Sequence, residues 1–347
     1  MTFQKQAILQ IEKSYSLNIA HHEDGPELLI GSEIKGHNYR FNWKTKDATT
    51  IGEEIGGTMT MLPLPRRSAD YVSVMGMYPP FLGETAGAYF NKFLVNHAEW
   101  ETRQVLSLPF AHRLEILQGQ EHDYLFVASV AEHKENPEDW SQPGKVFATV
   151  IHEDLNPADF ELVAGGITRN HGMIVHRFKD GPALLVSGKE GILAIRENPG
   201  GSTRFAKDTL FKNEVSEMFL HDLDGDGEDE LVTIEPFHGN KLGVYKNIGE
   251  NWCLEFSDEL IFGHGLWVGD FNETPTIFVG NRADHCDLYA YQPSAKGSLE
   301  FTRNILEPKT GTTQTIVFEY QNQSILAASN PLNSEVACYT QTEAAHD

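Results

Sequence analysis

The sequence predicts an all-β protein, a seven-bladed β-propeller. Three observations lead there: a short apolar phrase occurs seven times, it returns after about 45 to 60 residues, and turn-forming residues precede each copy. The copies are Gly25–Gly31, Asp70–Val74, Asp123–Ala128, Pro182–Ser187, Asp229–Ile234, Pro275–Gly280 and Gln323–Ala328. Each reads as a turn rich in Asp, Gly, Pro or Asn, then a continuous aliphatic or aromatic run, then a small residue. A run this short and this apolar is the pattern of a strand buried on both faces, which suits the second strand of a blade. No helix is needed to account for it.

The flanking segments complete the unit. Apolar segments such as Gly265–Asp270 and Gly172–His176 come before the phrase, and more polar ones such as Lys145–Val150 come after it. Each unit is therefore a four-stranded meander, which cannot cover its own faces. A ring of such sheets buries each between two neighbours. The seventh unit runs out near Thr340, one strand short, while Phe3–Gln10 has strand-like composition and nothing beside it to pair with. The N-terminal segment is expected to supply the outer strand of the last blade and close the ring, making residues 1–347 a single propeller domain.

Composition narrows the partners. Fifty acidic against 27 basic residues give a formal charge of −23, and no basic run offsets it, so nucleic acid is excluded as a partner. The N-terminus lacks the apolar core of a signal peptide, and no apolar stretch of about 18 residues is present to span a bilayer. A cytoplasmic protein with no membrane association is expected. The three cysteines, Cys253, Cys286 and Cys338, form no CxxC pair, which argues against a disulfide framework or a thiolate zinc site. A ring that closes on itself needs no partner to hide an edge, so a monomer is the default.

Two sets of residues carry chemistry. Asp222, Asp224, Asp226 and Glu230 stand at positions one, three, five and nine of Asp222–Glu230, with Gly227 at position six. Hard oxygen ligands at alternate positions around a sharp turn suit Ca²⁺, and a structural calcium staple is expected there. The equivalent loop at Asp270–Thr274 keeps one Asp only. The second set comes from aligning the blades on their second strands. The starts of the first strands then fall at Thr58, His112, His171, Ser216, His264 and Thr313. Imidazoles from separate strands commonly hold a transition metal, and His238 lies on a loop opening to the same side. A divalent metal on the axis, held by His112, His171, His238 and His264, is the expectation.

Loops between second and third strands are expected to open on that same side, bringing Tyr78, His133, Lys134, Trp140, Lys189, Arg282 and His285 to one mouth, with Arg113 and Arg169 added from strand starts. Cations gathered against an acidic background suit an anionic or hydroxyl-rich ligand, and the aromatic rings offer flat surfaces to a sugar.

The segments His264–Asp270, Val279–Arg282, Asp222–Glu230, Glu235–Gly239 and Trp140–Gly144 resemble two families. These are the propeller of aldos-2-ulose dehydratase and the seven-bladed lyases that cleave L-rhamnose-α-1,4-D-glucuronate linkages; the calcium loop resembles that of FG-GAP propellers. The resemblance implies a carbon–oxygen lyase that acts by β-elimination on an anionic carbohydrate, in polysaccharide degradation. A sugar dehydratase or isomerase, and a non-catalytic binding propeller, are the alternatives. Elimination needs a base, an acid and a stabiliser of enolate-like charge. On this reading Arg169 and Arg282 recognise a carboxylate, Tyr78 or His133 moves protons, and the axial imidazoles stabilise charge.

Overall fold

A computed structural model describes residues 2–23, 25–65, 69–79, 82–249 and 251–342. The fold is a seven-bladed β-propeller: the strands form seven antiparallel sheets, six of four strands and one of five, and the described residues contain no α-helix. The sheets are numbered here in chain order. Every copy of the apolar phrase is a second strand, from Gly25–Ser32 in the first sheet to Gln323–Asn330 in the seventh.

By its contacts the chain divides into two compact units. One holds residues 1–30, 40–49 and 217–347; the other holds 31–39 and 50–216. In the first unit, apolar side chains of the fifth and sixth sheets pack together, among them Val232, Ile234, Leu266 and Ile277. Phe271 and Phe278 of the sixth sheet pack with Leu326, Ala337 and Tyr339 of the seventh. In the second unit Phe126, Val146, Leu184 and Val186 join the third sheet to the fourth. Second strands such as Glu230–Glu235 are buried at every position, because residues on both faces of the strand meet a neighbouring sheet. This is the physical content of the continuous apolar run.

The N-terminal strand Thr2–Gln10 lies where counting strands puts it. It pairs antiparallel with Glu335–Thr342 as the fourth strand of the seventh sheet, with Lys5 opposite Tyr339 and Ala7 opposite Ala337. Lys5 bridges Glu335 at 2.6 Å, and the Phe3 ring packs at 5.8 Å from Phe271. Tight hairpins set the registers elsewhere. At Gly191, which turns the second strand of the fourth sheet into the third with φ of 109°, a Cβ would come within 2.0 Å of the Phe211 carbonyl oxygen; only glycine fits.

The third sheet carries a carboxyl whose charge the fold opposes. Glu115, in the first strand, lies opposite Phe126, and burial pushes its pKa up to about 7. A raised carboxyl means that the folded state holds the proton more tightly. Stability therefore falls as pH rises from about 4.5 to about 7 and is level above that. Glu115→Gln is expected to remove this slope and to stabilise the protein at pH 8 by about 2 kcal/mol. Denaturant titrations of both proteins at pH 5 and pH 8 check it; an unchanged slope in the variant would locate the titration elsewhere.

Candidate active site

The six positions aligned from the sequence are all buried: Thr58, His112, His171, Ser216, His264 and Thr313 are each 3% exposed or less. In the second unit His112 and His171 come together, with ring centroids 4.7 Å apart. Arg113, adjacent to His112, is also buried and donates from Nε to the His171 carbonyl oxygen. The guanidinium therefore holds the His171 backbone in place rather than standing at an open mouth.

In the first unit His238 and His264 form a second pair, stacked at 5.2 Å. The His238 ring lies between Phe237 at 3.9 Å and Phe262 at 4.5 Å, and its backbone takes a left-handed φ of 47°. A non-glycine residue at this φ is held there by its surroundings, here the two phenyl rings. His264 has a defined tautomer. Its Nδ1 is 2.7 Å from the Thr313 carbonyl oxygen, which can only accept, so Nδ1 carries the proton and Nε2 the lone pair. The Tyr15 hydroxyl, 3.3 Å from Nε2, donates to it. An imidazole fixed through Nδ1–H to a carbonyl is the usual arrangement of a metal-binding or proton-accepting histidine.

The other residues singled out are distributed as follows. Arg169, also at a left-handed φ of 58°, pairs with Glu214 at 3.0 Å and lies 5.4 Å from the Trp140 ring centre. Lys134 covers that ring at 3.2 Å and donates to the Pro137 carbonyl oxygen at 2.6 Å; burial lowers its pKa to about 8. Only 2% of Lys134 is exposed, so it clamps its loop and occupies a Trp140 face that the sequence offers to a sugar. His133 pairs with Glu84 at 3.3 Å, and Tyr78 is 48% exposed. Arg282 lies over the Phe262 ring, 5.9 Å from its centre.

A pocket of about 310 Å³ opens in the first unit, lined by Ile261, Asp284, His285, Tyr289 and Arg303 among others. Arg303 pairs with Asp258 at 3.0 Å and lies over the Tyr289 ring at 4.9 Å. Ile261 and Asn281, which also line the pocket, precede Phe262 and Arg282 in the sequence. Sequence reasoning missed three contributors. Glu214 and Phe262 carry no motif. Tyr15, however, starts the first strand of the first sheet, the same place from which His112 and His264 were read.

The acidic loop Asp222–Glu230 joins the first and second strands of the fifth sheet. Carboxylate oxygens of Asp222, Asp224 and Asp226 lie within 4.8 Å of one another. The ammonium of Lys246 is among them, in contact with Asp224 and 2.8 Å from Asp226.

No family model and no curated protein matches the sequence. Solved structures do match in fold. The chain is similar to a "putative 6-phosphogluconolactonase" from Bacteroides uniformis, at 11% identity and a TM-score of 0.59 over 95% of this chain and 92% of that one. A second protein of the same description, from Bacteroides fragilis, is 10% identical, with a TM-score of 0.53 over 91% and 86%. At such identities the likeness establishes the propeller fold. It also corrects the expectation of a carbon–oxygen lyase acting by β-elimination: the names the similar structures carry are those of hydrolases, a different carbohydrate activity. No helix among the described residues is long and apolar enough to cross a membrane.

Proposed function

We propose that the protein is a hydrolase of small carbohydrate esters, sugar lactones above all, with the paired imidazoles as its reacting groups. The observation that carries this reading is the pairing of histidines in each unit, His112 with His171 and His238 with His264. The names of the structures with the same fold supply the substrate class, and the first unit holds a pocket with the volume of a small sugar.

Opening a lactone adds one water across the acyl–oxygen bond. Water attacks the carbonyl carbon, a base takes its proton, the ring oxygen departs, and that oxygen is protonated to a hydroxyl. His264 suits the base, since its Nε2 holds a lone pair while Thr313 fixes the ring. Arg282, beside Phe262, is the proposed donor to the developing oxyanion, and Arg169, braced by Glu214, its counterpart in the second unit. With His264 Nε2 taking the proton, the His112–His171 pair of the second unit is the nitrogen set that would suit a divalent cation of the transition series better than calcium; an ion held there would polarise a bound carbonyl.

Elemental analysis of protein purified without a metal-chelating column tests the metal part. One equivalent of a transition-series ion, lost together with lactone turnover on dialysis against a chelator, is expected. Full turnover by metal-free protein would remove the cation and leave the imidazoles to act alone.

A further inference from the structure

The geometry points to Lys246 as the resident cation of the acidic loop: its ammonium takes the place that the ligand pattern offers to calcium, and the loop is calcium-independent. The oxygens of the loop divide into two groups. One group is used by the loop's own amides. Asp222 accepts from Gly225 at 2.7 Å, from Asp226 at 3.1 Å and from Gly227 at 2.9 Å, using both oxygens. Asp224 Oδ1 accepts from the Asp226 amide, Asp226 Oδ1 from the Glu228 amide, and Glu230 Oε2 from the Leu223 amide.

The second group is what remains of Asp224, Asp226 and Glu230, one oxygen each, and all three turn to one atom. Lys246 Nζ touches Asp224 Oδ2, lies 2.8 Å from Asp226 Oδ2 and 3.5 Å from Glu230 Oε1. The ammonium hydrogen-bonds to Asp224 and Asp226 and acts on Glu230 by charge alone, since Glu230 Oε1 is buried without a hydrogen-bond partner. Glu230 is 0% exposed, and a buried carboxylate beside two others requires a countercharge. Lys246 meets that requirement from a paired position in the third strand, Lys241–Ile248, of the same sheet. A calcium ion would need these same oxygens at about 2.3–2.6 Å, where it would meet the ammonium's positive charge. In the sixth sheet Asp270, which begins the degenerate loop, lies 3.2 Å from His221 Nε2.

Thermal unfolding with EDTA and with millimolar CaCl₂ tests this on the wild type and on Lys246→Gln. The wild type is expected to melt at the same temperature in both. Lys246→Gln is expected to melt several degrees lower in EDTA and to be raised by calcium, because its carboxylates then face one another without a cation. Saturable stabilisation of the wild type by CaCl₂ would overturn the proposal, as would a variant that melts like the wild type in EDTA. Should the variant not fold, calorimetric titration of the wild type with CaCl₂ decides: no binding heat supports the lysine, and stoichiometric binding refutes it. Neither result bears on lactone turnover.

Discussion

His264→Ala is expected to lower kcat for sugar-lactone hydrolysis by about 10²- to 10⁴-fold, the usual contribution of a positioned acid–base group. Two features of the site make this the largest catalytic effect. The Thr313 carbonyl fixes the tautomer, so Nε2 is always the proton-accepting atom, and the Tyr15 hydroxyl sits on that atom. Alanine removes both the lone pair and the partner of two buried polar groups. The stability cost should be small beside the catalytic one, about 1–3 kcal/mol for the groups left unsatisfied, so the variant can be purified and its melting measured with its kinetics. Tyr15→Phe separates the roles: it keeps the imidazole and its Thr313 bond while releasing Nε2. If Tyr15 only restrains the base, its loss changes the pH profile more than the maximal rate. Parallel kcat profiles for wild type and Tyr15→Phe would show that the hydroxyl takes no part.

Removal of residues 1–10 is expected to be the most damaging change to the fold. It strips the fourth strand from the seventh sheet and exposes the backbone edge of Glu335–Thr342 over its whole length. It also removes the Phe3 ring from Phe271 and Phe278 and the Lys5 ammonium from Glu335 and Glu307. An unpaired edge on a strand whose first five residues are all buried invites pairing between molecules. The truncated chain should aggregate, or melt about 10 °C or more below the full chain, since a loss of several kcal/mol translates into a shift of that size. A synthetic peptide of residues 1–12 added in trans should recover part of the difference. A truncated protein that stays monomeric with an unchanged melting temperature would mean that this strand does not hold the seventh sheet.

Much of this architecture is readable from the chain because a propeller's second strands are buried on both faces. Leu28–Ile30 or Ile277–Val279 must then be apolar without interruption, and the run stands out from its turns. Strand counting alone placed Thr2–Gln10, because a missing strand at one end and a spare one at the other have a single solution. The shared burial of His112, His171 and His264 was legible because the three follow one register. Tyr15 follows it too, but as an aromatic residue on an apolar strand it does not announce a polar role.

Lys246 was illegible for a different reason. The loop pattern of Asp222–Glu230 is local, whereas the side chain that answers it comes from a neighbouring strand, Lys241–Ile248, where a lysine looks like any solvated residue. Likewise the loops bearing Lys134 and Arg169 gave cations without showing what neutralises or covers them. Trp140 and Glu214 do so in the fold. Substrate class was beyond the sequence, since the loops that would select it have no period to read. The motifs pointed to elimination chemistry, while the similar structures carry the name of a ring-opening hydrolase.

Acid release in a pH-stat, with δ-gluconolactone and its 6-phosphate as substrates, is the most direct measurement of that chemistry. Hydrolysis well above the spontaneous rate, first order in wild-type protein and lowered at least about a hundredfold by changing His264 to alanine, is the result this account requires. A wild-type rate no faster than buffer for both lactones, from folded and metal-loaded protein, would contradict it.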